Sequence, residues 1–173
     1  MVVAAPDLLE GIHPDKLLPA TDQVPERFEL GTLPYELLAG TTAAIDYIAG
    51  LASTATDRRA RVLESMRAVE EHEDRLFARL LDGLRAIPSV RLYGDPKRRT
   101  PTVFFSVDGR EDREVYEHLA AAGVNAPASN FYALEASRWL GLGDAGAVRA
   151  GLAPYTNDDD VDRLLAGVAE VAR

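Results

Sequence analysis

Arg149 is the side chain of this 173-residue chain whose setting most demands a chemical explanation. It stands in Ala147-Val148-Arg149-Ala150-Gly151-Leu152, a strand-like run of small and apolar residues. A guanidinium there must emerge at a surface or meet an anion in a cleft. Far upstream, Gly31-Thr32-Leu33-Pro34 opens a helix-like stretch. Thr32 is placed to cap that helix, and the positive end of a helix favours an anion. Gly141-Leu142-Gly143-Asp144-Ala145-Gly146 has the G-x-G-x-x-G spacing, with Asp162 at about the right distance for a ribose contact. A dinucleotide fingerprint must follow a strand and open a helix, whereas this run follows a helix and precedes a strand, so it reads as a turn. His13, His72 and His118 are scattered and read as exposed residues; they form no metal-ligand spacing, and no Ser lies in a nucleophile elbow. Neither a metal centre nor a serine hydrolase is therefore expected.

Charge and composition narrow the partners. The net charge of -9 repels phosphate backbones and anionic membranes, so neither nucleic acid nor membrane is expected as a partner. Lys97-Arg98-Arg99 is the dense basic run, and its place between two strand-like segments makes it a solvated loop. With no cysteine the chain has neither disulfides nor a thiol nucleophile, which is compatible with a reducing compartment. The first residues lack the basic leader and apolar core of a signal peptide, and a cytoplasmic location is expected.

The elements that must position these residues follow from periodicity. Pro6, Pro14, Pro19 and Pro25 make residues 1–33 an extended arm with one short helical turn near Leu8. Leu37, Leu38, Ile45, Ile48 and Leu51 mark one face of a first helix. A long amphipathic helix then runs to about residue 87, with Val62, Met66, Val69, Leu76, Phe77, Leu80 and Leu84 inward and a solvated charged face opposite. Residues 90–93 and 102–107 are β-rich and should pair antiparallel. Val115 and Leu119 give a short helix stopped by Gly123, Val124-Asn125-Ala126 another strand, and residues 134–140 another helix. After the strand bearing Arg149, Val161, Leu164, Leu165, Val168 and Val171 define the last helix, opened by a Thr156/Asp159 capping box. The expected class is α+β, a small mainly antiparallel sheet with helices mainly on one face, and residues 34–173 form one domain behind the arm.

Two of these stretches resemble a known family. Arg149 on its strand, followed by Tyr155-Thr156-Asn157, an acidic turn and Val161-Asp162-Arg163-Leu164-Leu165, resembles the end of cysteine desulfurases, which are class V aminotransferases of PLP-dependent fold type I. Phe28-Glu29-Leu30-Gly31-Thr32 looks like the same family's Phe-Glu-x-Gly-Thr signature. The resemblance covers nearly the whole chain but only the C-terminal portion of such an enzyme. It implies that Arg149 binds the carboxylate of an amino-acid substrate, and that the loop containing Asn130 lines the substrate entrance. It also implies that Gly31 and Thr32 bind the phosphate of pyridoxal phosphate in the neighbouring subunit of a homodimer.

Two departures qualify what is implied. The loop expected to bear the family's reactive cysteine reads Val124-Asn125-Ala126-Pro127-Ala128-Ser129-Asn130-Phe131-Tyr132, without a thiol, so a related epimerase or lyase stays open. The lysine that holds PLP should follow a strand and a histidine, and neither Lys16 nor Lys97 does. The chain is therefore expected to lack the family's N-terminal PLP-binding domain, to bind no PLP covalently, to carry no catalytic residue and to be inactive alone. The contrasting expectation is a freestanding α+β binding or interaction module.

Overall fold

The computed structural model describes residues 3–173; the first two residues of the expected arm lie outside them. In chain order the elements are α1 (Pro6–Glu10), a 3-10 turn (Glu26–Phe28), α2 (Tyr35–Ala49), α3 (Arg58–Arg85), β1 (Val90–Leu92), β2 (Thr102–Val107), α4 (Asp112–Ala121), β3 (Ala128–Ser129), α5 (Leu134–Trp139), β4 (Ala147–Gly151) and α6 (Asp158–Val171). The four strands form one antiparallel sheet in the order β1-β2-β4-β3. The α+β class expected from the sequence is the class observed.

One face of the sheet makes the core. Val103, Phe105 and Val107 alternate along β2 toward the helices, and Val148 and Ala150 do the same on β4. Leu76, Leu80 and Leu84 from α3, Val115 and Leu119 from α4, and Val161, Leu164 and Val168 from α6 close over them. Each fully buried aliphatic side chain of this kind contributes roughly 1.5–3 kcal/mol. α3 and α6 approach closely because Gly83 leaves room for Leu165, whose Cδ1 would lie 2.5 Å from a Cβ at that position. On the solvent side of the same contact, Arg75 pairs with Asp158 at 2.9 Å and Arg79 with Asp162 at 2.6 Å.

Several local expectations are corrected. The third strand falls at Ala128–Ser129 rather than at residues 124–126, because the Val124 N–H closes the end of α4 on the Leu119 carbonyl. Pairing with β4 begins at the Pro127 carbonyl, which accepts from the Arg149 N–H at 3.0 Å. The capping box of α6 is Asn157 with Asp160; the Thr156 hydroxyl instead accepts from the Ala153 N–H at 3.0 Å and tightens the preceding turn. Thr32 does not cap α2: Pro34 occupies the N-cap, and its carbonyl accepts from the Leu37 and Leu38 N–H groups.

Burial departs from expectation at the N-terminal end. The sheet lies beneath only the C-terminal half of α3, so Met66, expected inward, is 47% exposed. The apolar side chains of α2 are largely uncovered, with Leu37 65% exposed and only Ala49 buried. Lys97 and Arg98 are exposed as expected, whereas Arg99 is half-buried: its guanidinium lies 4.9 Å from the Phe77 ring centroid and donates to the Thr102 carbonyl at 2.8 Å. His72 and His118 are half-buried rather than exposed; the His72 Nε2 lies 2.8 Å from the Thr156 carbonyl oxygen, and His118 faces Glu170 at 3.4 Å.

Residues 3–33 carry the short helix expected near Leu8, here α1, and several of them are gathered around one side chain. Arg27, only 8% exposed, is that side chain. Its Nε donates to the Asp22 carbonyl at 2.7 Å and its Nη2 to Glu10 at 2.9 Å, while Nη1 reaches the Glu10 and Ile12 carbonyls. A buried guanidinium is tolerated when its donors are matched in this way. Among the described residues no helix is long and apolar enough to cross a membrane.

Candidate functional site

The face of the sheet opposite the α3, α4 and α6 core, bordered by α5, carries the candidate site. On β4 the side chains alternate, so Val148 and Ala150 enter the core while Arg149 stands on the opposite face, across from Phe104 of β2. The Arg149 guanidinium carbon sits 3.8 Å from the centroid of the Phe131 ring. Phe131 meets Phe104 edge-on at 6.3 Å, and Phe104 in turn packs on Tyr93 at 5.7 Å. Among the described residues the Arg149 side chain has no carboxylate or carbonyl partner, so its hydrogen-bond donors remain available. Two clefts share it. One of about 280 Å³ is lined by Phe104, Phe131, Ser137 and Leu140 of the aromatic side, and the other of about 380 Å³ by Thr102, Asn125, Pro127 and Gly151. A free guanidinium between two clefts is suited to a planar carboxylate, which it can bind through two parallel hydrogen bonds.

The loop from β3 to α5 holds the aromatic side of this site. Phe131 and Tyr132 both have left-handed backbones, with φ of 51° and 64°. Such conformations cost side-chain-bearing residues about 1 kcal/mol or more each and persist only where the surroundings fix them. Here the Phe131 N–H donates to the Ser129 hydroxyl at 3.1 Å, and the Tyr132 N–H to the Asn130 side-chain oxygen at 2.9 Å. The Asn130 amide nitrogen donates to the Asp144 carbonyl at 2.9 Å. Asn130 thus lines the same cleft as Arg149, while its carboxamide ties two loops together.

The glycine-rich turn is the second of those loops. Gly141, Gly143 and Gly146 all have positive φ, and the segment leads from α5 directly into β4. The Ser137 hydroxyl donates to the Gly143 carbonyl at 2.6 Å, and Arg138 forks onto Asp144 at 2.6 and 3.0 Å. The Arg138 hydrogen bond holds the Asp144 carboxyl below the usual carboxylate range. The turn reading of the glycine spacing therefore holds, and its work is to deliver Arg149 at the right height on the sheet.

Gly31 and Thr32 lie elsewhere. Gly31 takes φ of 107°, and both residues are exposed ahead of α2. Beside them Leu9, Phe28, Leu33, Pro34, Leu37 and Leu38 line an apolar groove of about 670 Å³. This groove and the two clefts at Arg149 share no residue, so the chain does not bring the two predicted sites together. Lys16 is engaged within the arm, donating to the Ala20 carbonyl at 2.8 Å and pairing with Asp22 at 3.0 Å. The Lys16 hydrogen bond holds the Asp22 carboxyl below its ordinary value. Lys97 is exposed in the β1–β2 loop. Among the described residues no group of three or more His, Asp or Glu could hold a metal.

The sequence did not single out Phe131, Phe104 or Arg27. A signal existed for the first in Asn130-Phe131-Tyr132, two aromatics directly after turn-forming residues. No local pattern could have marked Arg27, whose partners at 10, 12 and 22 depend on the fold of the arm.

Comparison with known proteins adds four findings. The aminotransferase class-V family model matches residues 15–164. An uncharacterized protein of Mycobacterium tuberculosis is 36% identical over 149 residues, covering 85% of this chain and 37% of the relative. The "Probable cysteine desulfurase 2" of Mycobacterium leprae is 35% identical over 147 residues, covering 83% of this chain and 31% of the relative. This chain thus spans about a third of the length of the curated relatives it matches. Among solved structures, the cysteine desulfurase CsdA of Escherichia coli superposes with a TM-score of 0.73 at 22% identity, over 96% of this chain and 40% of that one. At that identity the likeness concerns the fold.

Proposed function

The chain belongs to the class-V aminotransferase family, and on that premise we propose that residues 34–173 form the C-terminal, substrate-facing domain of a PLP-dependent cysteine desulfurase-like enzyme. The observation that carries this reading is the Arg149 guanidinium, without a carboxylate or carbonyl partner among the described residues, between two clefts on the face of the sheet opposite the α3, α4 and α6 core. Arg149 takes the substrate carboxylate in its planar fork and so fixes the orientation of the amino acid's α-carbon. Asn130 lines the approach and holds the loop that borders it.

The residues present fit part of a PLP site. Exposed Thr32 has no partner for its hydroxyl among the described residues, and the positive φ of Gly31 brings the chain sharply into the segment before α2. Thr32 and the backbone around it would hold the phosphate of PLP belonging to a second subunit, consistent with the separation of this segment from Arg149. PLP, when bound, supplies the electron sink for chemistry at the substrate α-carbon. The covalent lysine does not fit either position here: Lys16 is tied to Asp22 and the Ala20 carbonyl, and Lys97 lies in an exposed loop. The PLP-binding domain is therefore a partner supplied separately from these residues, and the chain alone is catalytically silent. The uncovered apolar faces of α2 and the arm, including Leu30 and Leu37, suit contact with that domain.

A second reading within the family, an epimerase or lyase, is favoured by the loop at residues 124–132, which offers aromatics and amides in place of a sulfur acceptor. The kinetic test of the main reading is Arg149→Ala in the PLP-dependent enzyme carrying this domain. It should cost about 2–4 kcal/mol in apparent substrate binding and leave PLP bound. Unaltered kinetics would return Arg149 to the status of a surface residue.

A further inference from the structure

We propose that Phe131 is a positioning residue for Arg149, a flat platform that sets the plane of the guanidinium so that its edge meets a carboxylate. The inference rests on the reading of Arg149 as the carboxylate-binding group. It begins from geometry: the guanidinium carbon lies 3.8 Å from the ring centroid, within range of a cation–π contact. A guanidinium laid flat on a ring keeps its in-plane donors, which leaves the fork free for a planar ligand. A free arginine side chain on a strand has many rotamers, and ordering it on binding would cost affinity. A platform removes part of that cost before the ligand arrives.

The structure spends strain to place this ring. Phe131 and Tyr132 are consecutive left-handed residues, with φ of 51° and 64°, and neither is a glycine. Their N–H groups are held by the Ser129 hydroxyl and the Asn130 side chain, and Asn130 is anchored in turn to the Asp144 carbonyl. Tyr132, the next residue, is fully exposed, so the turn is not explained by a need to bury both aromatics. The edge contact with Phe104, which sits opposite Arg149 on β2, fixes the ring from the sheet side. The ring is thereby held from the loop side by these hydrogen bonds and from the sheet side by Phe104.

The test uses this chain and L-alanine, a zwitterion that leaves ionic strength unchanged, with L-alaninamide as the control lacking a carboxylate. The Arg149 Nε–H resonance, identified by its loss in Arg149→Lys, is followed through the titration. In the wild type it should carry a ring-induced shift and move saturably with L-alanine, but not with L-alaninamide. Phe131→Leu should abolish the ring-induced shift and weaken binding by about fivefold or more, while Phe131→Trp should bind within about twofold of wild type. If Phe131→Leu binds as well as wild type, the positioning role is overturned and the carboxylate role of Arg149 stands. If the wild-type resonance ignores L-alanine, the carboxylate role fails and the positioning role fails with it.

Discussion

Gly146 lies so close to Ser129 that a Cβ at position 146 would sit 2.0 Å from the Ser129 carbonyl oxygen. Its φ of 82° is also one that L side chains rarely adopt. The contact joins the start of β4 to the loop that carries Phe131, so the height of Arg149 and the position of its platform are set at the same point.

Gly146→Ala should therefore be costly on two counts, backbone strain and a clash that displaces main chain rather than a flexible side chain. A loss of about 2–4 kcal/mol is expected in urea unfolding. Gly141→Ala serves as the comparison: its φ of 78° is similar but nothing lies within 4 Å of an added Cβ, so only the strain should register. Equal losses in the two variants would mean that the Ser129 contact contributes nothing.

Arg27 predicts behaviour at the other end of the molecule. Because its donors gather the Glu10 carboxylate and the carbonyls of Glu10, Ile12 and Asp22, Arg27→Ala should unpin residues 10–27 without touching the sheet. Hydrogen exchange should accelerate by about tenfold or more in that segment while amides of β2 and β4 keep their protection. Unchanged exchange in the arm would show that Arg27 does not organise it.

The α3–α6 contact should respond to acid. The Arg75 hydrogen bond is the largest influence holding the Asp158 carboxyl below its usual value. A group with a depressed folded pKa adds stability above its unfolded value of about 3.9 and loses it as pH falls through the lower folded value. Asp158→Asn should accordingly lower the urea midpoint at pH 7, with the gap from wild type closing below about pH 4 as the wild-type carboxyl becomes protonated. A gap that persists undiminished to the lowest pH would assign the effect to packing instead of charge. Both side chains are well exposed, so the effect should be small and weaken with salt.

The sequence revealed the layout because periodicity reports burial against a sheet, and α4, β2, β4 and α6 are all buried on one side in regular steps. It misplaced β3 by a few residues, since a two-residue strand has no period and its pairing starts at a proline carbonyl. It overestimated the burial of Met66, because an apolar stripe looks the same whether this chain or another surface covers it. Arg149 was legible as a charge among small apolar neighbours. Phe131 was not, because its approach to Arg149 depends on two left-handed residues whose conformation is fixed by partners elsewhere in the fold.

The central claim is that this chain contributes the substrate-binding arginine and leaves the covalent hold on PLP to another domain. Incubation of the purified chain with PLP, borohydride reduction and mass analysis of its peptides tests that division most directly. Lys16, occupied by Asp22 and the Ala20 carbonyl, and Lys97, in an exposed loop, should show only sparse and scattered labelling. A single stoichiometric pyridoxyl adduct on Lys16 or Lys97 would contradict it.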